Sequence, residues 1–214
     1  MMKNSGRYGL KTDDLVDHVR TFMLAGHETT SASLMWTLYS LACYPDVQKK
    51  AREEINSMLS EDDIITAKAV ENMPYLNGVV KEGLRLHAPI PGVSKRCVKE
   101  DIIRGVRIPV GTLMGISIVG LHKNPKLWPD PEKFDPSRFM PPNSNSLNPW
   151  QFLPFSSGKH TCIGYRLSLM ESKITLATLL RHLEFSLVPG FTFKKYTSLS
   201  VKALPSMMLR VRNL

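Results

Sequence analysis

Cysteine is scarce in this sequence, and long hydrophobic runs are absent. The three cysteines, Cys43, Cys97 and Cys162, are widely spaced and odd in number, which argues against a disulfide framework and for a reducing compartment. No stretch approaches the roughly 18 consecutive apolar residues of a membrane-spanning helix, and the first residues lack the apolar core of a signal peptide. We therefore expect neither a transmembrane segment nor a secretory leader in this chain.

Acidic residues are outnumbered by basic ones. The chain has 28 Lys and Arg against 19 Asp and Glu, which gives a formal net charge of +9. The basic residues are spread along the chain, and no nucleic-acid-binding motif accompanies them. We expect no nucleic-acid partner; a solvated basic surface is the plainer interpretation, and a docking face for an acidic partner is the alternative.

The first part of the sequence predicts one long helix. Apolar residues recur from Leu15 to Leu41 with a period close to 3.6, and no proline intervenes before Pro45. Thr12 is the candidate N-cap, with acidic residues directly after it at the positive end of the helix dipole. A helix over residues 12 to about 44 would be roughly 48 Å long, which suits a rod that crosses a larger domain.

The remaining segments predict further helices and short strands. Helices are expected from residue 46 to about 59, between Pro74 and Pro89, and after Gly164. Short β-type runs occupy residues 94–119 and 183–212, whereas residues 124–154 are rich in proline and lack periodicity. The predicted fold class is therefore mainly α with small β-sheets, an α+β architecture.

The strongest chemical signal is the sequence F-S-S-G-K-H-T-C-I-G at residues 155–164. Its glycines allow a tight turn, and Cys162 stands just ahead of a predicted helix, whose N-terminal amides stabilise an anion and so favour a thiolate. A thiolate is a strong donor to iron. A lone cysteine in this position is more often a small buried residue than a ligand.

This sequence resembles the cysteine-ligand pattern of cytochromes P450, F-x-x-G-x-R-x-C-x-G. The resemblance implies that Cys162 is the metal ligand, bound to the iron of haem b (iron protoporphyrin IX). It also implies that Phe155 packs near the sulfur, that Gly158 permits the turn, and that Gly164 completes the cofactor-binding loop. His160 stands where the family usually has an arginine that contacts a haem propionate.

A second motif, A-G-H-E-T-T at residues 25–30, lies in the middle of the long predicted helix. Gly26 costs about 1 kcal/mol there relative to alanine, and a glycine followed by an acid and hydroxyls can open the helix ladder for a small ligand. A polar patch on a helix is the simpler interpretation of the motif alone. It resembles the P450 oxygen-activation motif, which implies that Thr29 and Glu28 are catalytic: Thr29 hydrogen-bonds the oxygen molecule, and Glu28 helps to relay protons.

A third motif pairs Glu82 with Arg85 on one face of a predicted helix, and P-S-R-F at residues 136–139 contributes Arg138. On a surface, a Glu and an Arg at this spacing stabilise a helix by only about 0.2–0.5 kcal/mol. The resemblance implies instead that Glu82, Arg85 and Arg138 form the buried structural triad of the family. Arg96 matches a strand arginine that pairs with a haem propionate, and an ordinary surface arginine is the alternative.

The motifs occur in the family's order, so the resemblance implies the C-terminal portion of the cytochrome P450 fold, with its long central helix and its Cys-ligand loop. We expect an N-terminal extension over residues 1–11 and a partial P450 domain over residues 12–214. Members of the family are about twice as long. The expectation is therefore a truncated product or gene fragment that retains the sites.

The implied reaction is the insertion of one atom of O2 into a small lipophilic substrate. Its electrons would come from NADPH–cytochrome P450 reductase or a ferredoxin-type donor. The implied location is the cytosolic face of the endoplasmic reticulum membrane, or the cytoplasm because no anchor is visible. Two alternatives stay open: a haem-binding fragment without turnover, and a haem-thiolate isomerase or dehydratase. Glu28 and Thr29 favour the monooxygenase over the isomerase.

Overall fold

The computed structural model describes residue 9 and residues 11–60 and 62–214. The α-helices are α1 (Thr12–Cys43), α2 (Pro45–Met58), α3 (Ala67–Glu71), α4 (Pro74–Leu86), α5 (Ile118–His122) and α6 (Tyr165–His182). The β-strands are β1 (Gly92–Arg96), β2 (Asp101–Ile103), β3 (Val106–Ile108), β4 (Leu113–Ser117), β5 (Leu183–Leu187), β6 (Lys194–Thr197), β7 (Val201–Leu204) and β8 (Leu209–Asn213).

Helix α1 confirms the long helix predicted from the hydrophobic period. Its cap differs from the prediction: Thr12 is already helical, Lys11 is the cap residue, and the Asp14 carboxylate accepts a hydrogen bond of 2.8 Å from the Lys11 amide. The second half of α1 is packed into the protein, with Trp36 and Leu41 fully buried. The first half carries exposed apolar side chains, including Phe22.

The hydrophobic core lies where the second half of α1 meets α2, α4 and α6. Each helix turns a row of residues spaced three or four apart towards this centre, and full burial of one such aliphatic side chain contributes about 1.5–3 kcal/mol. The fully buried residues at the centre include Leu41, Ile55, Leu76, Val79, Leu176 and Leu180. The order of helices follows the sequence-based prediction.

The strands form two-stranded antiparallel sheets in the described part of the chain, pairing β1 with β4, β2 with β3, β5 with β8, and β6 with β7. Two hydrogen bonds hold the β6–β7 hairpin against the rest of the chain. The Trp36 indole donates to the Val201 carbonyl over 2.8 Å, and the Val201 amide donates to the Pro89 carbonyl over 2.9 Å. The hairpin therefore lies along the buried half of α1.

The proline-rich segment is ordered without long regular elements. Short 3₁₀ turns occur at Pro136–Phe139, Asn143–Ser146 and Pro149–Gln151, and the segment is held by buried aromatic residues, Trp128 and Phe134 among them. The mixed α+β class is confirmed, although the short helices α3 and α5 were not predicted because they are too short for a periodic signal. None of the helices described by the structure is long and apolar enough to span a membrane.

Candidate functional site

The loop that carries Cys162 is a closed backbone turn. The Cys162 amide donates to the Phe155 carbonyl over 2.9 Å, and the Thr161 amide donates to the Gly158 carbonyl over 3.1 Å. Two residues have left-handed backbone conformations, Gly158 with φ of 72° and Ser156 with φ of 62°. A glycine adopts this conformation freely, whereas a serine pays roughly 1 kcal/mol or more. The loop thus stores strain at Ser156 to place the cysteine.

The thiol of Cys162 is free and exposed at the entrance to α6, which begins at Tyr165. Ile163, the next residue, and Leu167, in the first turn of α6, are 80% and 61% exposed, so the end of the loop and the start of the helix carry exposed apolar side chains. A Cβ atom placed on Gly164 would lie 3.9 Å from the Cys162 sulfur, and glycine therefore keeps that side of the sulfur open.

Phe155 and Tyr165 connect this loop to the rest of the molecule. The Phe155 ring packs against the core, and its centroid lies 6.3 Å from that of Tyr165 in the first turn of α6. The core thereby supports both ends of the cysteine loop.

The second motif lies on α1, whose helix is continuous through Gly26. The helix ladder, which this motif can open, is unbroken here. The Thr29 hydroxyl donates to the Ala25 carbonyl over 2.8 Å, so that carbonyl receives a side-chain donor from within the helix. Folding the hydroxyl back onto the backbone satisfies it without a break in the helix.

Glu28 binds the β6–β7 hairpin. Its Oε1 accepts from the Ser200 hydroxyl over 2.9 Å and lies 2.7 Å from Nζ of Lys202. The hydrogen bond from Lys202, followed by that from Ser200, lowers the pKa of the Glu28 carboxyl. Neither Ser200 nor Lys202 was predicted as a site residue. Ser200 lies within residues 197–201, a segment that by resemblance lines the family's substrate pocket, whereas nothing in the sequence marked Lys202.

The motif on α1 and the first turn of α6 meet directly. The Thr30 hydroxyl donates to the Ser168 hydroxyl over 3.4 Å, and both residues are at least partly buried. Because Ser168 lies in the first turn of the helix that follows Cys162, this contact joins the end of the α1 motif to the helix that begins at the cysteine loop. Ser168 was not predicted as a site residue. Its place in the first turn of the helix after Cys162 is the one sequence feature that marks it.

The structure brings Glu82, Arg85 and Arg138 together in the interior. Arg85 donates from Nε and from one terminal nitrogen to the two oxygens of Glu82, each over 2.7 Å, and both side chains are fully buried. Nε of Arg138 lies 3.3 Å from Glu82 Oε1, which also accepts from the Asp135 amide over 2.9 Å. Burial raises the pKa of the Glu82 carboxyl, and the two arginines oppose that rise.

His122 links this network to the cysteine loop. Its carbonyl accepts from Arg85 over 2.9 Å, and its Nε2 accepts from the Leu153 amide over 2.9 Å, two residues before Phe155. Burial, with the nearby Arg85 charge, lowers the pKa of His122 to about 4. His122 matches a frequent position of the family for which no catalytic role was predicted, and its Leu153 partner lies outside any local sequence pattern.

Arg96 and His160 are exposed residues outside these networks. The Arg96 guanidinium donates to the Gly111 carbonyl over 3.1 Å, and no ion pair among the described residues joins it to the cysteine loop. His160 ends the short 3₁₀ turn Gly158–His160 of that loop. Their expected contacts with haem propionates stay predictions.

Comparisons with known proteins give one consistent result. The family model described as Cytochrome P450 matches residues 1–209. Cytochrome P450 4F12 of Homo sapiens is 38% identical over 221 residues, which cover 100% of this chain and 41% of that protein. Cytochrome P450 4A24 of Sus scrofa is 40% identical over 206 residues, which cover 95% of this chain and 39% of that protein.

A solved structure is similar in fold as well as in sequence. The crystal structure of the cytochrome P450DA heme domain superposes with a TM-score of 0.89 at 31% identity, over 96% of this chain and 46% of that chain. The present chain thus spans about two fifths of the length of the curated relatives that it matches.

Proposed function

This chain belongs to the cytochrome P450 family, and on that premise we propose that it is the haem-binding part of a monooxygenase. The proposed reaction inserts one atom of O2 into a small lipophilic substrate and reduces the other atom to water. The observation that carries the proposal is the exposed Cys162 thiol, held in a closed loop at the start of α6, a helix that contacts α1 through the hydrogen bond between Ser168 and Thr30.

The residues around Cys162 fit a haem. Cys162 would hold the haem iron through its sulfur, because a thiolate is a strong donor to iron. The exposed apolar side chains of Ile163 and Leu167 suit the face of a porphyrin. In the proposal, Phe155, Gly158 and Gly164 shape the loop around haem b. His160 and Arg96 are the proposed partners of the haem propionates.

A thiolate-ligated haem supplies the activation of dioxygen when it is bound. The chain's own contribution is two polar groups on α1, the helix that contacts α6 behind the cysteine loop. The Glu28 carboxylate is ionised and can accept a proton at its oxygen atoms. The Thr29 hydroxyl donates to the Ala25 carbonyl, which leaves the lone pairs of its oxygen to accept a hydrogen bond. Thr29 therefore holds a proton on its hydroxyl oxygen, and Glu28 offers a carboxylate that can accept one.

The proposal extends to partners and location by resemblance to the family. The electron donor is NADPH–cytochrome P450 reductase or a ferredoxin-type protein. The location is the cytosolic face of the endoplasmic reticulum membrane, with the cytoplasm as the alternative. Sedimentation of the chain with microsomal vesicles, compared with vesicle-free solution, distinguishes the two locations.

The haem-thiolate assignment is tested by the absorbance spectrum of the reduced, carbon-monoxide-bound chain after haem is added. We expect the Soret position of a thiolate-ligated ferrous haem carbonyl, and Cys162→Ala should abolish it because the variant has no sulfur at this place. Cys162→His should retain haem and give instead the spectrum of imidazole ligation.

The matched control is Cys43→Ala, since Cys43 is a second free thiol, half-buried at the C-terminal end of α1. This variant should keep the wild-type spectrum. A wild-type spectrum in Cys162→Ala, with circular dichroism showing a folded chain, would refute Cys162 as the ligand. Failure of the folded wild-type chain to take up haem would refute the proposed function.

A further inference from the structure

The contacts of Glu28 join two elements that are far apart in sequence. Glu28 lies at the centre of α1, whereas Ser200 and Lys202 lie at the turn and the second strand of the β6–β7 hairpin. The Lys202 ammonium and the Ser200 hydroxyl both bind the same carboxylate oxygen, Oε1. A single oxygen of the proposed catalytic acid thereby holds the tip of the hairpin against α1.

The carboxylate end of this contact is more shielded from water than the lysine end. Ser200 is fully buried and the Glu28 side chain is 15% exposed, whereas the Lys202 side chain is 38% exposed. Partial withdrawal from water makes an ion pair stronger than one on an open surface. Because the Lys202 side chain is partly exposed, water can reach the ion pair from the hairpin side.

We propose that Lys202, assisted by Ser200, is a positioning residue that holds the Glu28 carboxylate on the hairpin side of α1. Glu28 must leave Lys202 before it carries a proton towards Thr29. The inference rests on the proposed function for the use of that proton, whereas the ion pair itself does not depend on haem.

The protons in this step are accounted for. The ion pair lowers the pKa of Glu28 and raises the pKa of Lys202, so Lys202 keeps its proton and is not the donor. The proton taken up by Glu28 comes from water, and uptake cancels the charge that binds Lys202. The other titratable groups that face the pair are His27 on α1 and Tyr196 on β6.

The first test is a pH titration of the Glu28 side-chain carboxyl carbon by NMR in the full chain without added haem. The signal is assigned by its absence in Glu28→Gln. In Lys202→Met the titration midpoint should move upward, because the carboxylate loses its cation, and Lys202→Arg should return it towards the wild-type midpoint. Ser200→Ala, which removes only a hydroxyl, should move it upward by less.

Lys194→Met is the matched control, because Lys194 lies at the start of the same hairpin and its ammonium contacts no carboxylate among the described residues. The control should titrate like wild type. Equal midpoints in wild type, Lys194→Met and Lys202→Met would overturn the proposal. If Lys202→Met does not fold, an unchanged midpoint in Ser200→Ala together with a changed one in Lys194→Met overturns it instead.

Hydrogen exchange gives a second readout. The Ser198 amide donates to the Ser200 carbonyl, and the Val201 amide donates to the Pro89 carbonyl. Loss of Lys202 should speed exchange at both amides by roughly two- to fivefold, the range expected for one partly exposed ion pair. Unchanged exchange in Lys202→Met would show that Glu28 does not hold the hairpin.

The haem spectrum separates this inference from the proposed function. With haem and a reductase, the acid limb of the turnover profile should move upward in Lys202→Met and stay in place in Lys194→Met. A wild-type chain without a thiolate spectrum refutes the proposed function, even if the carboxyl titration responds to Lys202. A normal spectrum with an unresponsive carboxyl refutes only the role of Lys202.

Discussion

At the scale of single residues, the Arg85 guanidinium has every donor engaged. It forms five hydrogen bonds, two to Glu82 and three to the carbonyls of His122, Pro131 and Lys133. Such a group is expensive to remove from water, and its geometry offsets that cost only when all partners are present. Arg85 therefore ties α4 to the irregular segment that leads to the cysteine loop.

Replacement of Arg85 by Met should lower the free energy of unfolding by about 3–5 kcal/mol, because the Glu82 charge would be left buried without its main partner. Arg138→Met should cost less, about 1–2 kcal/mol, since Arg138 is partly exposed and donates to a carbonyl elsewhere. Urea-induced unfolding followed by circular dichroism measures both changes.

The control for this prediction is Lys49→Met. Lys49 pairs with Glu53 over 3.9 Å on the open surface of α2, and its loss should change stability by no more than about 0.5 kcal/mol. If Arg138→Met lowered the free energy of unfolding more than Arg85→Met, Arg85 would not be the main partner of Glu82.

At the scale of elements, α4 is the helix on which the others converge. Its first amides, those of Tyr75 and Leu76, donate to the Glu54 carboxylate of α2 over 2.8 and 2.7 Å. A Cβ atom on Gly78 would lie 2.7 Å from the Pro136 carbonyl oxygen, and one on Gly83 would lie 2.2 Å from the Thr37 hydroxyl. Glycine at these positions lets α4 lie directly against its neighbours.

Gly83→Ala should therefore lower the free energy of unfolding by about 1–3 kcal/mol, because the added methyl overlaps α1 where the two helices cross. The Thr37 hydroxyl cannot turn away freely, since it donates to the Ser33 carbonyl over 2.8 Å. The measurement is again denaturant unfolding. The double variant Gly83→Ala with Thr37→Ala should cost less than the sum of the single changes.

Gly26→Ala, on α1, should change stability in the opposite direction from Gly83→Ala. A Cβ atom there would meet nothing within 4 Å, so alanine should stabilise α1 by about 0.5–1 kcal/mol through its higher helix propensity. If the Gly83 and Gly26 variants changed stability equally, contact between α1 and α4 would not be the reason for Gly83.

At the scale of the whole molecule, acid sensitivity follows from a buried histidine. His122 is fully buried, and its Nε2 must be free of a proton to accept from the Leu153 amide. Its pKa is about 4 in the folded chain, against about 6.5 for an unfolded histidine. Between these values the unfolded chain binds more protons, so stability falls as the pH is lowered.

His122 contributes about 3 kcal/mol to the free energy of unfolding. This contribution is fully present above about pH 6.5 and is lost progressively as the pH falls to about 4. In His122→Gln the side-chain oxygen can accept from Leu153 without titrating, so part of the acid loss should disappear. Denaturant unfolding at several pH values measures the difference between this variant and wild type.

His18→Gln is the control, because it makes the same replacement at an exposed position of α1, away from the His122–Leu153 hydrogen bond. His87, whose pKa burial lowers to about 2, contributes to both proteins and cancels in the comparison. Parallel stability curves for wild type and His122→Gln would contradict the role of His122.

Much of the fold could be predicted because the relevant signals are local. The hydrophobic period and the prolines located α1, α2, α4 and α6 within a few residues. The glycines and cysteine of residues 155–164 identified the family. The continuity of α1 at Gly26 could not be predicted, because the choice between an open and a closed ladder depends on where the Thr29 hydroxyl finds an acceptor.

The sequence by itself determined the family, the helical elements and the pairing of Glu82 with Arg85, since their motifs are short and have fixed spacing. Only the tertiary structure decided that Glu28 binds Lys202 and that His122 receives the Leu153 amide. The physical reason is that a polar group is satisfied by whatever partner the packed chain brings within hydrogen-bonding distance, and that partner can lie anywhere along the sequence.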